Sequence, residues 1–393
     1  MPSENGFDNT AIAFTNKSDK ELRSAYQLFR LLNNSFLSSI GTSLAGFAIK
    51  AHLPINSIIK ATVFNHFCGG TSIEDCADAI QKLDNLNIKA NLDFAVEVKS
   101  TEEDFEKTKN EILNIIEHAK EKSNIPFFSL KITGLASMNL LEKLGAQIQL
   151  DSQEKQDYDK AKARLDVICR EAEGSGISLF IDAEESWIQD PIDGFATYLM
   201  EKYNRNRVVV SNTVQLYRKG KLAYLKDSYK AALDKGYIYG VKIVRGAYMV
   251  KERARARSRG LESPIHETKS ETDKDYNLAL EFCLSNIDKI FLYTATHNEE
   301  SCRIQIKLMN ERGIDKAHPN VYFSQLYGMG DHLSNNLANK GYNVAKFIPY
   351  GPIREVIPYL IRRANENTAM KGQMSRELKM IGAELRRRKT AVR

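Results

Sequence analysis

Cysteine is scarce and unpatterned in this chain: Cys68, Cys76, Cys169, Cys283 and Cys302 form no CxxC pair and are odd in number. Such spacing argues against a disulfide framework or a zinc site and for a reducing compartment. Long apolar runs are missing too. The most apolar early stretch, residues 36–49, is broken by serines and threonines and is too short to span a bilayer. The opening MPSENGFDNT has neither the charged-then-apolar layout of a signal peptide nor the arginine content of a transit peptide. The expectation is a cytoplasmic protein, with peripheral contact at the inner face of a membrane left open. A net charge of +6 over 393 residues is small, and no nucleic-acid partner is expected from it.

Several familiar motifs are also absent. No GxGxxG follows a strand pattern, and there is no P-loop, GxSxG elbow or HExxH. Rossmann-type dinucleotide binding, phosphate cradling, serine hydrolysis and zinc proteolysis are therefore unsupported. Low-complexity tracts and Pro/Gly-rich linkers do not divide the chain. At this length a single α/β barrel with added segments is as natural as two or three domains.

What is present falls into two textures. Residues 1–85 read as an N-terminal helical region: KELRSAYQLFRLLNN has apolar residues at helical spacing, and INSIIKATVFNHF follows the break at Pro54. Residues 86–393 alternate short β-rich runs with amphipathic helices. The strands are expected at 88–97, 127–133, 178–185, 208–217, 239–248, 290–298, 321–328 and 343–351. Strand then helix, repeated with short returns, implies parallel strands and right-handed crossovers. Nearly every strand begins apolar and ends in a group capable of chemistry: Asp93 and Glu97, Lys131, Asp182 to Glu185, Gln215, Arg245, His297 and Asn298, Gln325. Convergence from so many strands favours a closed (β/α)8 barrel, whose active site lies at the strand C-termini, over a doubly wound sheet.

The last barrel helix carries the sharpest signal. In YGPIREVIPYLIRRANENTAM, Tyr359, Arg362, Arg363 and Glu366 share one helical face. An Arg–Glu pair on a solvated face is the ordinary reading. Ile357, Leu360 and Ile361 flank that face, however, so half-buried arginines able to grip a carboxylate are expected. IDAEES offers Asp182 and Glu184 on one strand face and Glu185 on the other, suited to acid/base work, metal binding or the orientation of a nearby cation. His297 has no second His or Cys at ligand spacing, so no metal is expected. Lys242, Val244 and Gly246 alternate along one face, and Gly246 permits either a bend or close approach of a ligand. The basic run RARARSR (253–259) and the tail AELRRRKTAVR read as solvated charge, with a cofactor diphosphate and an anionic membrane surface as the sharper alternatives. Residue chemistry alone ends here, at a barrel enzyme for a small carboxylate. A flavin-free Schiff-base lyase using Lys131, Lys242 or Lys346, or a non-catalytic binding module, competes with that reading.

The motifs IDAEES, QLYRK, KIVRGAYMVKE, ATHN, SQLYGMGD and FIPYGPIREVIPYLIRRANEN occur in the order found in proline dehydrogenases. The chain resembles that family from about residue 60 to its end, most closely the single-function, eukaryote-like branch, which includes hydroxyproline dehydrogenases. The resemblance implies a distorted (β/α)8 TIM-type barrel holding FAD non-covalently at the strand C-termini. It implies hydride transfer from C5 of L-proline to flavin N5, giving Δ1-pyrroline-5-carboxylate, with electrons passed to a quinone. By matched position, Arg362, Arg363 and Lys131 would hold the substrate carboxylate and Asp182 would position the lysine. Tyr248, Leu326 and Tyr359 would enclose the pyrrolidine ring. Gln215, Lys242, Val244, Gly246, Lys269, Thr272, Thr296, His297, Asn298 and Glu366 would bind FAD. Lys242 stands where bifunctional bacterial members carry an arginine, keeping the charge and losing the planar fork. Phe347 stands where many members carry a tyrosine, which leaves the choice between proline and hydroxyproline open.

Overall fold

The computed structural model describes residues 6–33, 63–95, 98–369 and 371–391; the side chains of 362–369 and 371–374 lie outside that description. Eight strands close into a parallel barrel in sequence order. They are β1 (Ile88–Phe94), β2 (Phe127–Leu130), β3 (Ser178–Ile181), β4 (Val210–Gln215), β5 (Tyr239–Val244), β6 (Ile290–Ala295), β7 (Val321–Leu326) and β8 (Val344–Tyr350). The α/β barrel expected from the sequence is therefore the observed fold.

Each strand stops short of its expected C-terminal end. The reason is local. After Leu130 the chain turns through Lys131 into a 3-10 turn at Ile132–Gly134, and after Ile181 it runs irregularly through Glu185 to the helix Ser186–Tyr203. Asp182 still donates its amide to the Leu130 carbonyl at 2.8 Å, and beyond it the backbone leaves the ladder. The reading of Asp182 and Glu184 as neighbours on one strand face fails for this reason.

The chain divides into two compact units. One comprises Asn91–Thr296 and Ile304–Phe323. Here Phe127 pairs with Ser178 and Leu130 with Ile181 across β2 and β3, while Lys242 pairs with Tyr293 across β5 and β6. Rings from strands that are not neighbours meet: Phe127 lies 4.9 Å from Tyr322, and Phe180 lies 4.3 Å from Tyr293, centroid to centroid. Side chains of non-adjacent strands can touch only across the barrel interior, so these aromatics fill it. Asn91 Nδ2 donates to the Tyr293 hydroxyl at 3.3 Å, and Ser129 Oγ donates to Asn91 Oδ1 at 3.2 Å, so these three polar side chains partner one another. Helix starts around the barrel are locally encoded. Thr268 and Glu271 form a reciprocal capping box at 3.3 and 2.9 Å, and Asp151 with Glu154 does the same before Ser152–Gly174.

The other unit comprises Met1–Ala90, His297–Arg303 and Ser324–Arg393. The helix expected from KELRSAYQLFRLLNN is Asp19–Leu32, started by the Ser18–Glu21 capping box and burying Leu22, Ala25 and Phe29. Most of the second expected helix, INSIIKATVFNHF, lies outside the described residues. Helix Lys371–Ala391 packs on Asp19–Leu32. Its basic tail is partly neutralised there. Arg387 and Arg388 each donate to Glu384 at 2.7 Å, and Arg388 also reaches Asp19 at 2.9 Å. Among the described residues no helix is long and apolar enough to cross a membrane.

Phe180 is fully buried in the aromatic layer. Truncation there leaves a cavity that flanking rings cannot close, so Phe180→Ala should lower the unfolding free energy by about 3–5 kcal/mol. A loss below about 1 kcal/mol in denaturant titration would contradict the packing described.

Candidate active site

Directly beyond the aromatic layer, alternation along β1, β2, β3 and β5 brings the next interior positions to Asp93, Lys131, Asp182 and Lys242. All four are charged. Lys131 Nζ lies 3.6 Å from Asp93 Oδ2 and 3.6 Å from Asp182 Oδ2, while Lys242 Nζ makes a close ion pair with Asp182 Oδ1. The Lys242 ammonium also sits 5.1 Å above the Phe180 ring, so the aromatic layer supports it from below. Burial pushes the Asp182 carboxyl up, but Lys242 and then Lys131 outweigh it and hold the group below its ordinary value. Two ammoniums facing two carboxylates make the group neutral. An isolated charge at this depth would be prohibitively costly, whereas an alternating set is tolerable.

Glu184 takes another course. It is buried, and its carboxylate accepts the Thr133 amide at 3.1 Å and the Thr133 hydroxyl at 2.5 Å. Its carbonyl accepts Gln215 Nε2 at 2.8 Å, and Gln215 Oε1 receives the Ala247 amide at 3.4 Å. Glu184 thus joins the turn after Lys131 to the end of β4 and the loop beyond β5. Glu185, also buried, pairs with Lys251.

At the end of β5, Val244 is half-buried, and two residues on Gly246 has φ +143. A Cβ at Gly246 would lie 2.3 Å from the Tyr217 ring. Both the left-handed backbone and that ring demand glycine, so the bend anticipated there is real and Tyr217 occupies the space a side chain would take. Tyr248 is buried at the start of helix Met249–Arg259. Arg245 donates to Asp273 Oδ1 at 2.8 Å and to Thr296 Oγ1 at 2.8 Å, and Lys269 pairs with Asp273. Lys269 and Thr296 are therefore joined through Arg245 and Asp273. Asp273 was missed, although its place four residues after Lys269 in a capped first turn was a usable signal. Thr272 is buried on the same helix. In the basic run, Arg253 binds the carbonyls of His266 and Glu267 at 3.3 and 3.1 Å, and Arg255 stacks 4.2 Å from the Trp187 ring. Arg257 and Arg259 stay exposed.

In the other unit, His297 Nε2 accepts the Leu326 amide at 3.2 Å, and Asn298 Oδ1 accepts the Ser301 amide at 3.1 Å. Asn298 so caps the helix Glu299–Glu311. Tyr359 is buried on helix Ile353–Ala369, and Phe347 is half-buried in β8. The side chains of Arg362, Arg363 and Glu366, and residue Glu97, lie outside the described residues.

The profile of the family described as "Proline dehydrogenase" matches residues 76–376. Proline dehydrogenase 1, mitochondrial, of Dictyostelium discoideum is 30% identical, with 97% of this chain and 74% of that relative aligned. Hydroxyproline dehydrogenase of Xenopus laevis is 29% identical, covering 84% of this chain and 78% of the relative. Among solved structures, proline utilization A (PutA) from Bdellovibrio bacteriovorus, inactivated by N-propargylglycine, superposes with a TM-score of 0.71 at 19% identity. That match covers 94% of this chain and spans 40% of the longer PutA chain, and it bears on the fold alone.

Burial raises the Glu184 carboxyl from its ordinary 4.5 to about 7, against the lowering effect of Thr133. The folded state therefore holds the proton more tightly than the unfolded chain, and stability from this group falls as pH climbs from 4.5 to about 7. Glu184→Gln should remove that part of the slope in denaturant titrations. An unchanged slope would contradict it.

Proposed function

Because the chain belongs to the proline dehydrogenase family, we propose that it oxidises L-proline to Δ1-pyrroline-5-carboxylate by hydride transfer from C5 to N5 of FAD, with a quinone as final acceptor. The observation that carries this reading is the Lys131–Asp182–Lys242 group at the strand ends, its two lysines buried, above an aromatic floor.

The residues present suit a flavin. Lys242, Gln215, Arg245 and Thr296 offer mainly donors, whereas the pyrimidine carbonyls and diphosphate of FAD are acceptors. When bound, FAD supplies the two-electron acceptance that no side chain provides. The rest falls to the chain. Asp182 faces both Lys131 and Lys242 and fixes the direction of their ammoniums. In this reading Lys131, Arg362 and Arg363 hold the substrate carboxylate, so C5 is placed with little freedom left to lose. Tyr248, Leu326 and Tyr359 enclose the ring. Val244, Gly246, Lys269, Thr272, His297, Asn298 and Glu366 complete the assignment for FAD. Water is kept out below by Phe127, Phe180 and Tyr293.

Phe347 in β8 and the hydroxyproline dehydrogenase relative favour one second reading, oxidation of hydroxyproline by the same apparatus. Parallel kcat/KM measurements on the two imino acids separate them. A Schiff-base lyase would need a lysine lone pair. Lys131 and Lys242 instead face Asp182, and Lys346 donates to Leu326, Met329 and Asp331.

Two outcomes follow from the chemistry. The amine must be neutral for its lone pair to support the cation left at C5, so kcat/KM should rise from about pH 6 to 9. A flat profile would count against amine oxidation. Arg363→Met should raise KM for proline at least about tenfold while flavin stays bound. An unchanged KM would remove the carboxylate clamp.

A further inference from the structure

We propose that Lys346 is a positioning residue for substrate binding: it clamps the loop 326–331, whose first residue, Leu326, borders the substrate ring in the reading above. The proposal rests on that reading.

Lys346 lies in the middle of β8 with its side chain 1% exposed. Its ammonium donates to the Leu326 carbonyl at 3.2 Å, to the Met329 carbonyl, and to Asp331 Oδ1 at 2.9 Å. Three donors thus go to three acceptors of one six-residue loop, which uses the full capacity of a lysine. A leucine or methionine would fill this strand position with less desolvation. Convergence on a single loop is what the lysine adds.

The same loop is held from other sides by its own unit. Lys17, just before helix Asp19–Leu32, reaches Asp331 Oδ2 at 3.2 Å. Burial pushes the Asp331 carboxyl up, yet Lys346 and Lys17 outweigh it and keep the group well below its ordinary range. His66 Nε2 lies 2.8 Å from the Gly328 carbonyl, and Glu377, on helix Lys371–Ala391, accepts the Gly330 amide at 2.5 Å. Gly328 has φ +76, and a Cβ there would stand 2.1 Å from the His66 carbonyl oxygen. His297 takes the Leu326 amide at 3.2 Å, so both backbone groups of Leu326 are tied. The N-terminal segment, through Lys17 and His66, is thereby part of the apparatus that fixes Leu326.

The test uses flavin-loaded enzyme carrying Lys346→Met, Asp331→Asn, Lys17→Met or Leu326→Ala. It reads flavin content, kcat, KM for L-proline and the Kd of tetrahydrofuran-2-carboxylate, which keeps the ring and carboxylate but has no amine to oxidise. A loosened loop should raise KM and that Kd together, about tenfold for Lys346→Met and severalfold for Asp331→Asn and Lys17→Met, with kcat within about twofold. A merely structural lysine would lower the melting temperature and leave KM and Kd of the loaded fraction unchanged, which overturns the proposal. If Lys346→Met does not fold, the other two loop-clamp variants decide on the same terms. Leu326→Ala separates the two layers. If it raises KM and the clamp variants do not, the clamp is wrong; if it leaves KM unchanged, the substrate-site reading of Leu326 fails and the proposal falls with it.

Discussion

A carboxylate shared between two buried lysines sets the terms for the strand ends. Asp182 cannot be removed without leaving Lys131 and Lys242 to repel each other in a medium that screens poorly. Loss of either lysine takes away one of the two cations that offset the burial of Asp182. The charged layer is therefore interdependent. Its neutrality, once Asp93 is counted, means that an added anion must bring its own counter-charge or find further cations nearby.

The aromatic layer makes this arrangement possible. Phe127, Phe180, Phe291, Tyr293 and Tyr322 fill the barrel where polar groups would otherwise draw water, and Phe180 offers its face to the Lys242 ammonium. Apolar packing and charge alternation are successive turns of one period-two pattern. On β2, Phe127, Ser129 and Lys131 pass in two steps from core to chemistry.

Much of this was legible in the sequence. Eight apolar-to-polar runs separated by helical stretches specify a barrel, and the polar residue ending each run marks the functional end. Lys131 and Asp182 were named from those positions, and Lys242 from its alternation with Val244 and Gly246. The strand limits were not legible, because nothing in the composition of IDAEES marks the point after Ile181 at which the backbone leaves the sheet. The separate engagements of Glu184 with Thr133 and of Arg245 with Asp273 were hidden for a related reason: they join segments far apart in sequence, and no local period records them. The loop 326–331 shows the same limit. Its glycines signal a turn, but the buried lysine beneath it looks, in sequence, like any strand-end cation.

The central claim is that a charged, water-poor strand-end site receives both a flavin and proline. The visible spectrum of the purified protein, recorded without oxygen before and after addition of L-proline, tests it most directly. Bound flavin absorbance that bleaches with proline is the expected result. A colourless protein that takes up no added FAD, or a flavin band indifferent to both proline and hydroxyproline, would contradict the account.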